Sequence, residues 1–480
     1  MTSPLTSRRI RRPIRRLPRR LTALLLATAA TLAPVTAAAP ARADGFVPIG
    51  GDGSSWSQNA MTQWQADVAG GMNMKVNYAG NGSTVGRQAF AAGTVDFAVS
   101  EIPYGVVDNG SADVPPTGTH PFKYLPIVAG GTAFMYHLDS GGKRITNLRL
   151  DDVTVAKIFT GNLSFWDDPE IKRENPGIPL PHRQIVPVVR SDGSGTTAQL
   201  TTWFDKQPNL SAMWAAYCSA NGRAVAGGHC GTTSFFPASG KFVSLNGSTG
   251  VSGYVASEPG EGAITYVEYS YAQNQKFPVV KLLNKSGYYI APNALNVAVA
   301  LTNVRIDDQL LQHLEDVYNS SDARAYPLSS YSYMIVPTST NSPFSTAKGN
   351  TLGAFIQYFL CQGQQHVDLL GYSPLPLNLV QAGLDVTRSI PGANVTTTPS
   401  SCANPTVSST GHNKLAEIAP QPAPCDRQGT SQCAADGVTP VPGGGTTGGR
   451  TTGGTASGGT SGGTTGGGTG GGTTGGGIGT

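Results

Sequence analysis

The sequence predicts an α/β protein divided into two lobes, and three observations carry that expectation. Apolar stretches alternate with Gly- and Ser-rich turns that open helix-patterned segments, the wiring of a sheet with helices packed on it. Four of those turns, at residues 51–55, 80–84, 192–197 and 247–250, share small residues and hydroxyls. About 340 residues of this pattern are more than one hydrophobic core usually supports.

Taken in order, residues 46–50 read as a strand entering the first turn. Met61, Trp64 and Val68 then fall on one helical face. Residues 74–78 alternate as a strand, the second turn follows, and a helix runs through Phe90. Residues 95–99 form a strand ending at Ser100-Glu101, and 125–128 and 133–137 read as two further strands. Helices are expected at 155–166 (with a loop), 210–217, 310–319 and 352–361, and strands at 263–267 and 333–337. Ligands of such sheets bind at the carboxyl ends of strands, where turns meet helix N-termini.

Residues 190–197, Arg-Ser-Asp-Gly-Ser-Gly-Thr-Thr, are the most informative stretch. They follow the apolar run 185–189, and Leu200, Trp203 and Phe204 continue at helical spacing. A helix start leaves N–H groups unpaired and carries about half a positive charge. Adding the hydroxyls of Ser194, Thr196 and Thr197 and the Arg190 fork makes a site for a tetrahedral oxyanion. The same residues also read as an ordinary capped helix after a tight turn. The turns do not have the glycine spacing of a dinucleotide fingerprint, and no Walker lysine follows them.

Residues 1–43 read as an export signal: eight arginines between Arg8 and Arg20, an apolar run at 21–33, and Ala41-Arg42-Ala43 as a cleavage site before Asp44. The apolar run is too short for a membrane span. Ser7-Arg8-Arg9 leaves both general and twin-arginine export open. The whole chain carries 33 basic and 29 acidic side chains; without the nine arginines of residues 1–43 the balance is 24 to 29, a formal −5. Nucleic-acid binding therefore loses its main support. Six cysteines in an exported chain read as disulfides. Pairing sequence neighbours gives Cys218–Cys230, Cys361–Cys402 and Cys425–Cys433, one of fifteen connectivities. From about residue 387 Pro, Thr and Ser dominate, then Gly and Thr, so residues 387–480 are expected to be a disordered spacer. The mature chain is expected to be free in the medium or associated with the cell wall.

The seven histidines are scattered without metal spacing, and no nucleophile elbow surrounds Ser194. Neither a cofactor nor a metal is expected, and catalysis is the weaker reading, although a Ser–His–Asp set assembles in space and not in sequence.

Six segments occur together in one family's order: Gly-Asp-Gly-Ser-Ser-Trp at 51–56, Asn-Tyr-Ala-Gly-Asn-Gly-Ser-Thr-Val-Gly at 77–86, Val-Asp-Phe-Ala-Val-Ser-Glu at 95–101, Phe-Trp-Asp-Asp at 165–168, Val-Val-Arg-Ser-Asp-Gly-Ser-Gly-Thr-Thr at 188–197 and Gly-Ala-Ile-Thr-Tyr-Val-Glu-Tyr at 262–269. Over about residues 46–385 the chain resembles the phosphate-binding proteins (PstS) of high-affinity phosphate ABC transporters. The resemblance implies a type 2 periplasmic-binding-protein fold with a ligand cleft between its lobes. Residues 44–125 and 268–386 would form lobe 1, and 126–267 lobe 2. It implies inorganic phosphate as ligand, a membrane permease as partner and a monomer with no catalytic role. Ser55, Trp56, Ser83 and Glu101 would bind from one lobe, and Arg190, Ser194, Gly195 and Thr196 from the other, with Asp192 orienting Arg190. The other readings are a scavenger of another oxyanion that feeds no permease and a secreted phosphohydrolase with Ser194 as nucleophile.

Three departures stand out. Ser55-Trp56 replaces the family's Thr-Phe, keeping a hydroxyl and an aromatic wall. Glu101 replaces Asp, moving the acceptor by roughly one bond length, which puts phosphate selectivity at issue. The C-terminal extension and its cysteines lie outside the family pattern.

Overall fold

The computed structural model describes residues 45–434 apart from 109–110, 117, 119 and 407–412. The export signal and the Gly/Thr-rich stretch from 435 onward lie outside the described residues. In chain order the strands used below are β1 (Ile49–Gly53), β2 (Val76–Ala79), β3 (Phe97–Ser100), β4 (Phe122–Tyr136), β5 (Arg149–Leu150), β6 (Val186–Arg190), β7 (Val243–Leu245), β8 (Ala263–Glu268), β9 (Lys281–Leu283), β10 (Tyr289–Ile290) and β11 (Ser329–Pro337). The helices are α1 (Gln58–Met72), α2 (Ser83–Ala91), α3 (Gly195–Lys206), α4 (Ser211–Ala220), α5 (Gly247–Ala256), α6 (Tyr269–Gln275), α7 (Ala294–Ala300), α8 (Thr346–Leu360), α9 (Leu377–Thr387) and α10 (Lys414–Ile418).

One mixed sheet of eight strands has the order β7-β6-β8-β4-β11-β3-β1-β2. Strand β4 makes it continuous: residues 122–131 pair antiparallel with β11, and residues 132–136 pair antiparallel with β8. The sequence predicts two strands here, and the structure joins them. Gly130 and Gly131 interrupt the apolar pattern because their neighbours come too close for a side chain. A Cβ at Gly130 would lie 2.7 Å from the Trp56 indole, and one at Gly131 the same distance from Pro292. Outward from β4, one half holds β1, β2, β3 and β11, and the other holds β6, β7 and β8.

The boundary expected at residue 268 needs correction. Helix α6 packs on α5, β4 and β8, and β9 pairs parallel with β5. Residues 269–283 thus belong with the second half, and the chain returns only before α7, which packs on β4 and β11. The helix expected over 310–319 shrinks to Glu315–Tyr318. Asp307 Oδ1 accepts hydrogen bonds from the N–H groups of Gln309 and Leu311, both at 2.9 Å, and Leu310 takes φ +65°, a turn that competes with the helix.

The three disulfides are Cys218–Cys230, Cys361–Cys402 and Cys425–Cys433, as neighbour pairing gives. They also correct the disordered spacer's expected start at 387. The described residues of 388–434 pack on both halves. Cys402 is tied to the end of α8, the Asn404 amide donates to Leu360 O, and the Thr406 hydroxyl donates to Leu375 O at 2.8 Å. Helix α10 lies against α7, and Arg324 donates to the carbonyls of Ala416 and Ala419. Farther on, the Asn147 amide donates to Cys433 O at 2.7 Å, and Lys281 holds Asp426 at 2.8 Å. Composition signals a change at 387, but two disulfides and buried polar contacts supply the order that a small apolar content does not.

Candidate functional site

The carboxyl ends of β1 and β2 in one half and of β6 and β7 in the other run into the four hydroxyl-bearing turns found in the sequence, and β3 ends beside them at Ser100-Glu101. Helices α2, α3 and α5 start there at Ser83, Gly195 and Gly247. Their N-terminal N–H groups and dipoles give the spot a preference for negative charge.

Arg190, at the end of β6, is 2% exposed. Its Nε donates to Asp192 Oδ1 at 2.7 Å and its Nη2 donates to Asp192 Oδ2. The Gly247 N–H steadies the same carboxylate from α5, donating to Oδ1 at 2.9 Å. One edge of the guanidinium is therefore fixed, and the Nη1–Nη2 edge remains to meet two oxygens in its plane. Nη1 also donates to Ser248 Oγ at 3.2 Å.

Ser55 faces Arg190 from the opposite half. Its hydroxyl lies 2.8 Å from that of Ser248 and accepts the Ser248 N–H at 3.1 Å. Ser83 donates to Glu101 Oε2 at 2.8 Å and accepts the Gly195 N–H at 3.1 Å. The Thr84 N–H donates to Gly193 O at 3.1 Å. These contacts join the two halves. They leave no room for side chains, since a Cβ at Gly195 would lie 2.0 Å from Glu101 Oε2.

Ser194 Oγ caps α3 by accepting the Thr197 N–H at 3.2 Å, which leaves its own proton to donate. Thr196 is 1% exposed, and its buried hydroxyl has no hydrogen-bond partner among the described residues. Trp56 is fully buried, and its ring packs over Gly130 and edge-on to Tyr372 at 5.6 Å. It supports the loop that carries Ser55 from the direction of the crossing strand. The hydrogen bonds form two neighbouring sets, Ser55–Ser248–Arg190–Asp192 and Glu101–Ser83–Gly195, with Ser194 and Thr196 at the same helix start as Gly195.

Glu101 is the set's acceptor. Burial pushes its carboxyl pKa up, and hydrogen bonds from Ser54, Ser83 and Ser332 pull it back. Two residues were missed in the sequence. Ser248 lies in the fourth turn, whose small-residue pattern alone assigns it no binding role. Ser332 lies in β11, every residue of which is buried; a serine in a fully buried strand was the available signal.

The PBP superfamily domain model matches residues 34–362. The PstS phosphate-binding protein of Methanocaldococcus jannaschii is 32% identical over 329 residues, covering 66% of this chain and 79% of that protein. The PstS phosphate-binding protein of Xylella fastidiosa strain Temecula1 is 31% identical over 337 residues, covering 70% and 83%. Among solved structures, a phosphate-binding protein from Stenotrophomonas maltophilia aligns with TM-score 0.51 at 18% identity, over 74% of this chain and 98% of that one. That last likeness speaks for the fold: two α/β lobes with a ligand cleft between them. The chain belongs to the PBP superfamily and, within it, to the PstS family.

Proposed function

We propose that this chain is a secreted, non-enzymatic binding protein that captures inorganic phosphate between its lobes and delivers it to the membrane permease of a phosphate ABC importer. It acts as a monomer, with lobe 1 formed by residues 44–125 and about 290–386 and lobe 2 by the segment between. One observation carries the reading. A buried arginine, locked on one edge by Asp192, turns its other edge toward three helix starts and a ring of hydroxyls, and Glu101 places a further acidic acceptor beside the α3 start. Phosphate at neutral pH keeps a P–OH proton for such an acceptor, whereas sulfate is fully ionised and meets it with repulsion. A buried acceptor left unpaired gives discrimination on the order of 10⁴ in comparable sites.

Ser55, Ser83, Ser194 and Thr196 supply hydroxyls, Gly195 supplies an N–H, Arg190 supplies the charge, and Trp56 walls the loop. Capture works by closure, because Ser55, Ser83 and Glu101 stand on one half and Arg190, Ser194 and Gly195 on the other. The hydrolase alternative gains nothing from the geometry: the described hydrogen-bond partners of the Ser194 hydroxyl include no histidine.

Titration calorimetry of residues 44–480 with phosphate and with sulfate tests the proposal. Tight phosphate binding without sulfate heat is expected. Equal binding of the two would remove the role given to Glu101, and binding of neither would end the reading.

A further inference from the structure

Glu101 is longer by one methylene than the aspartate that the family resemblance implies. A longer acid has one more torsion and needs something to hold it. Strand β11 pairs antiparallel with β3, Tyr333 opposite Ser100, so the next pair along the ladder sets Ser332 opposite Glu101. On the other edge of β11 the register with β4 slips between Ser332 and Tyr333, with Ser332 facing Val128 and Tyr333 facing Pro126. Irregularities of this kind re-aim side chains beside functional sites.

Ser332 is fully buried, and its hydroxyl donates to Glu101 Oε1 at 2.9 Å. Ser332 Oγ also lies 3.2 Å from the Ser57 hydroxyl, which is fully buried too and is a second acceptor for Ser332. A hydroxyl has one proton. The charged carboxylate at 2.9 Å is the stronger claimant on it. Glu101 Oε2, the other oxygen, receives Ser83 and crowds Gly195, the start of α3. One carboxylate oxygen is therefore anchored in the sheet while the other is presented among the anion donors.

We propose that Ser332 is a positioning residue: by holding Glu101 Oε1 it fixes Oε2 as the acceptor that meets the anion, and so sets the discrimination between a protonated and a fully ionised oxyanion. The inference rests on the phosphate-binding reading above. Its physical content is that a donor on Oε1 keeps the carboxyl from rotating or exchanging oxygens. The donor also opposes the rise in pKa that burial causes. The other groups facing Glu101 are Ser54, Ser83 and the Tyr78 phenol, whose pKa the Glu101 charge helps to raise.

The test measures phosphate and sulfate dissociation constants for residues 44–480 as wild type, Ser332→Ala and Ser332→Thr, with melting curves to confirm folding. Loss of one hydrogen bond to a charged group corresponds to about 10- to 100-fold. Ser332→Ala is expected to narrow the sulfate-to-phosphate ratio by that factor, and Ser332→Thr, which keeps the hydroxyl, to restore it. A merely structural role would weaken both anions together and leave the ratio unchanged, and that result overturns the inference. If the wild type discriminates and Ser332→Ala discriminates equally, the phosphate reading stands and only Ser332 loses its role. If the wild type binds neither anion, both fall.

Discussion

Two of this protein's buried arginines, Arg190 and Arg149, are each accompanied by an aspartate and do opposite work. Arg190 and Arg149 are 2% and 1% exposed. Arg190 is gripped on one edge by an aspartate two residues along the chain, and its other edge faces the proposed anion site. The contacts of Arg149 are made within the protein. Its Nη2 donates to Cys425 O and lies 3.7 Å from Asp426, while its guanidinium sits over the Tyr289 ring at 5.0 Å. Both of those partners, Cys425 and Asp426, come from the C-terminal extension. The first pair prepares a charge for a ligand, whereas the second uses a charge to hold one segment of the chain to another. Burial depresses the Arg149 pKa and Asp426 raises it again, so the extension itself keeps that cation tolerable.

The comparison breaks most sharply at Arg190. Arg190→Ala removes two charge-assisted hydrogen bonds to the anion, at about 1.5–3 kcal/mol each. Phosphate affinity should fall by roughly 10²- to 10⁴-fold in calorimetry, with the fold retained by circular dichroism. Undiminished affinity would refute the site. The matching change on the other side is Asp426→Ala, which leaves Arg149 buried without its carboxylate. Stability should drop by about 3 kcal/mol in urea melts while phosphate affinity stays unchanged. A large loss of affinity in Asp426→Ala would mean that the two regions are coupled.

These two pairs also show what was legible in the sequence and why. Arg190 and Asp192 are local, lying in a turn whose glycines and hydroxyls announce a helix start, so their chemistry could be read from one short segment. The strand-turn-helix wiring and all four turns were legible for the same reason. Arg149 and Asp426 meet only through the tertiary fold, and composition argued against any order near Asp426. The continuity of β4 through Gly130-Gly131 and the attachment of residues 269–283 to the second half depend on packing partners that no local pattern names. Ser332 opposite Glu101 is a matter of strand register, which is likewise set across the sheet and not along it.

A buried acid with no ion pair among the described residues completes the comparison. Glu174 is 5% exposed and accepts from Asp151 N and Thr154 Oγ1. Burial, aided by the Asp151 charge, pushes its pKa up to about 8. Its folded-state pKa thus exceeds the unfolded value of about 4.3, so the folded protein holds a proton that the unfolded chain releases. Stability from this group is present below about pH 4 and declines as pH rises toward 8. Glu174→Gln, which mimics the protonated form, should flatten that part of the stability–pH curve by at least ~1.4 kcal/mol, the worth of one pKa unit. An unchanged slope between pH 5 and 8 would show that the carboxyl is ionised in the fold.

The smallest effect separates the two cations that share Asp426. Lys281 lies nearer to it, at 2.8 Å against 3.7 Å for Arg149, so distance alone makes lysine the main partner. Exposure argues the reverse: the Lys281 side chain is 23% exposed and that of Arg149 is 1%. A cation that water still reaches gains little from its partner, about 0–1 kcal/mol, whereas a buried one depends on it. Lys281→Met keeps the apolar stem and removes only the charge, and it should cost under about 1 kcal/mol in the same urea melts that detect Asp426→Ala. If Lys281→Met costs as much as Asp426→Ala, the extension is held by the lysine, and the buried arginine is satisfied by Cys425 O and the Tyr289 ring alone.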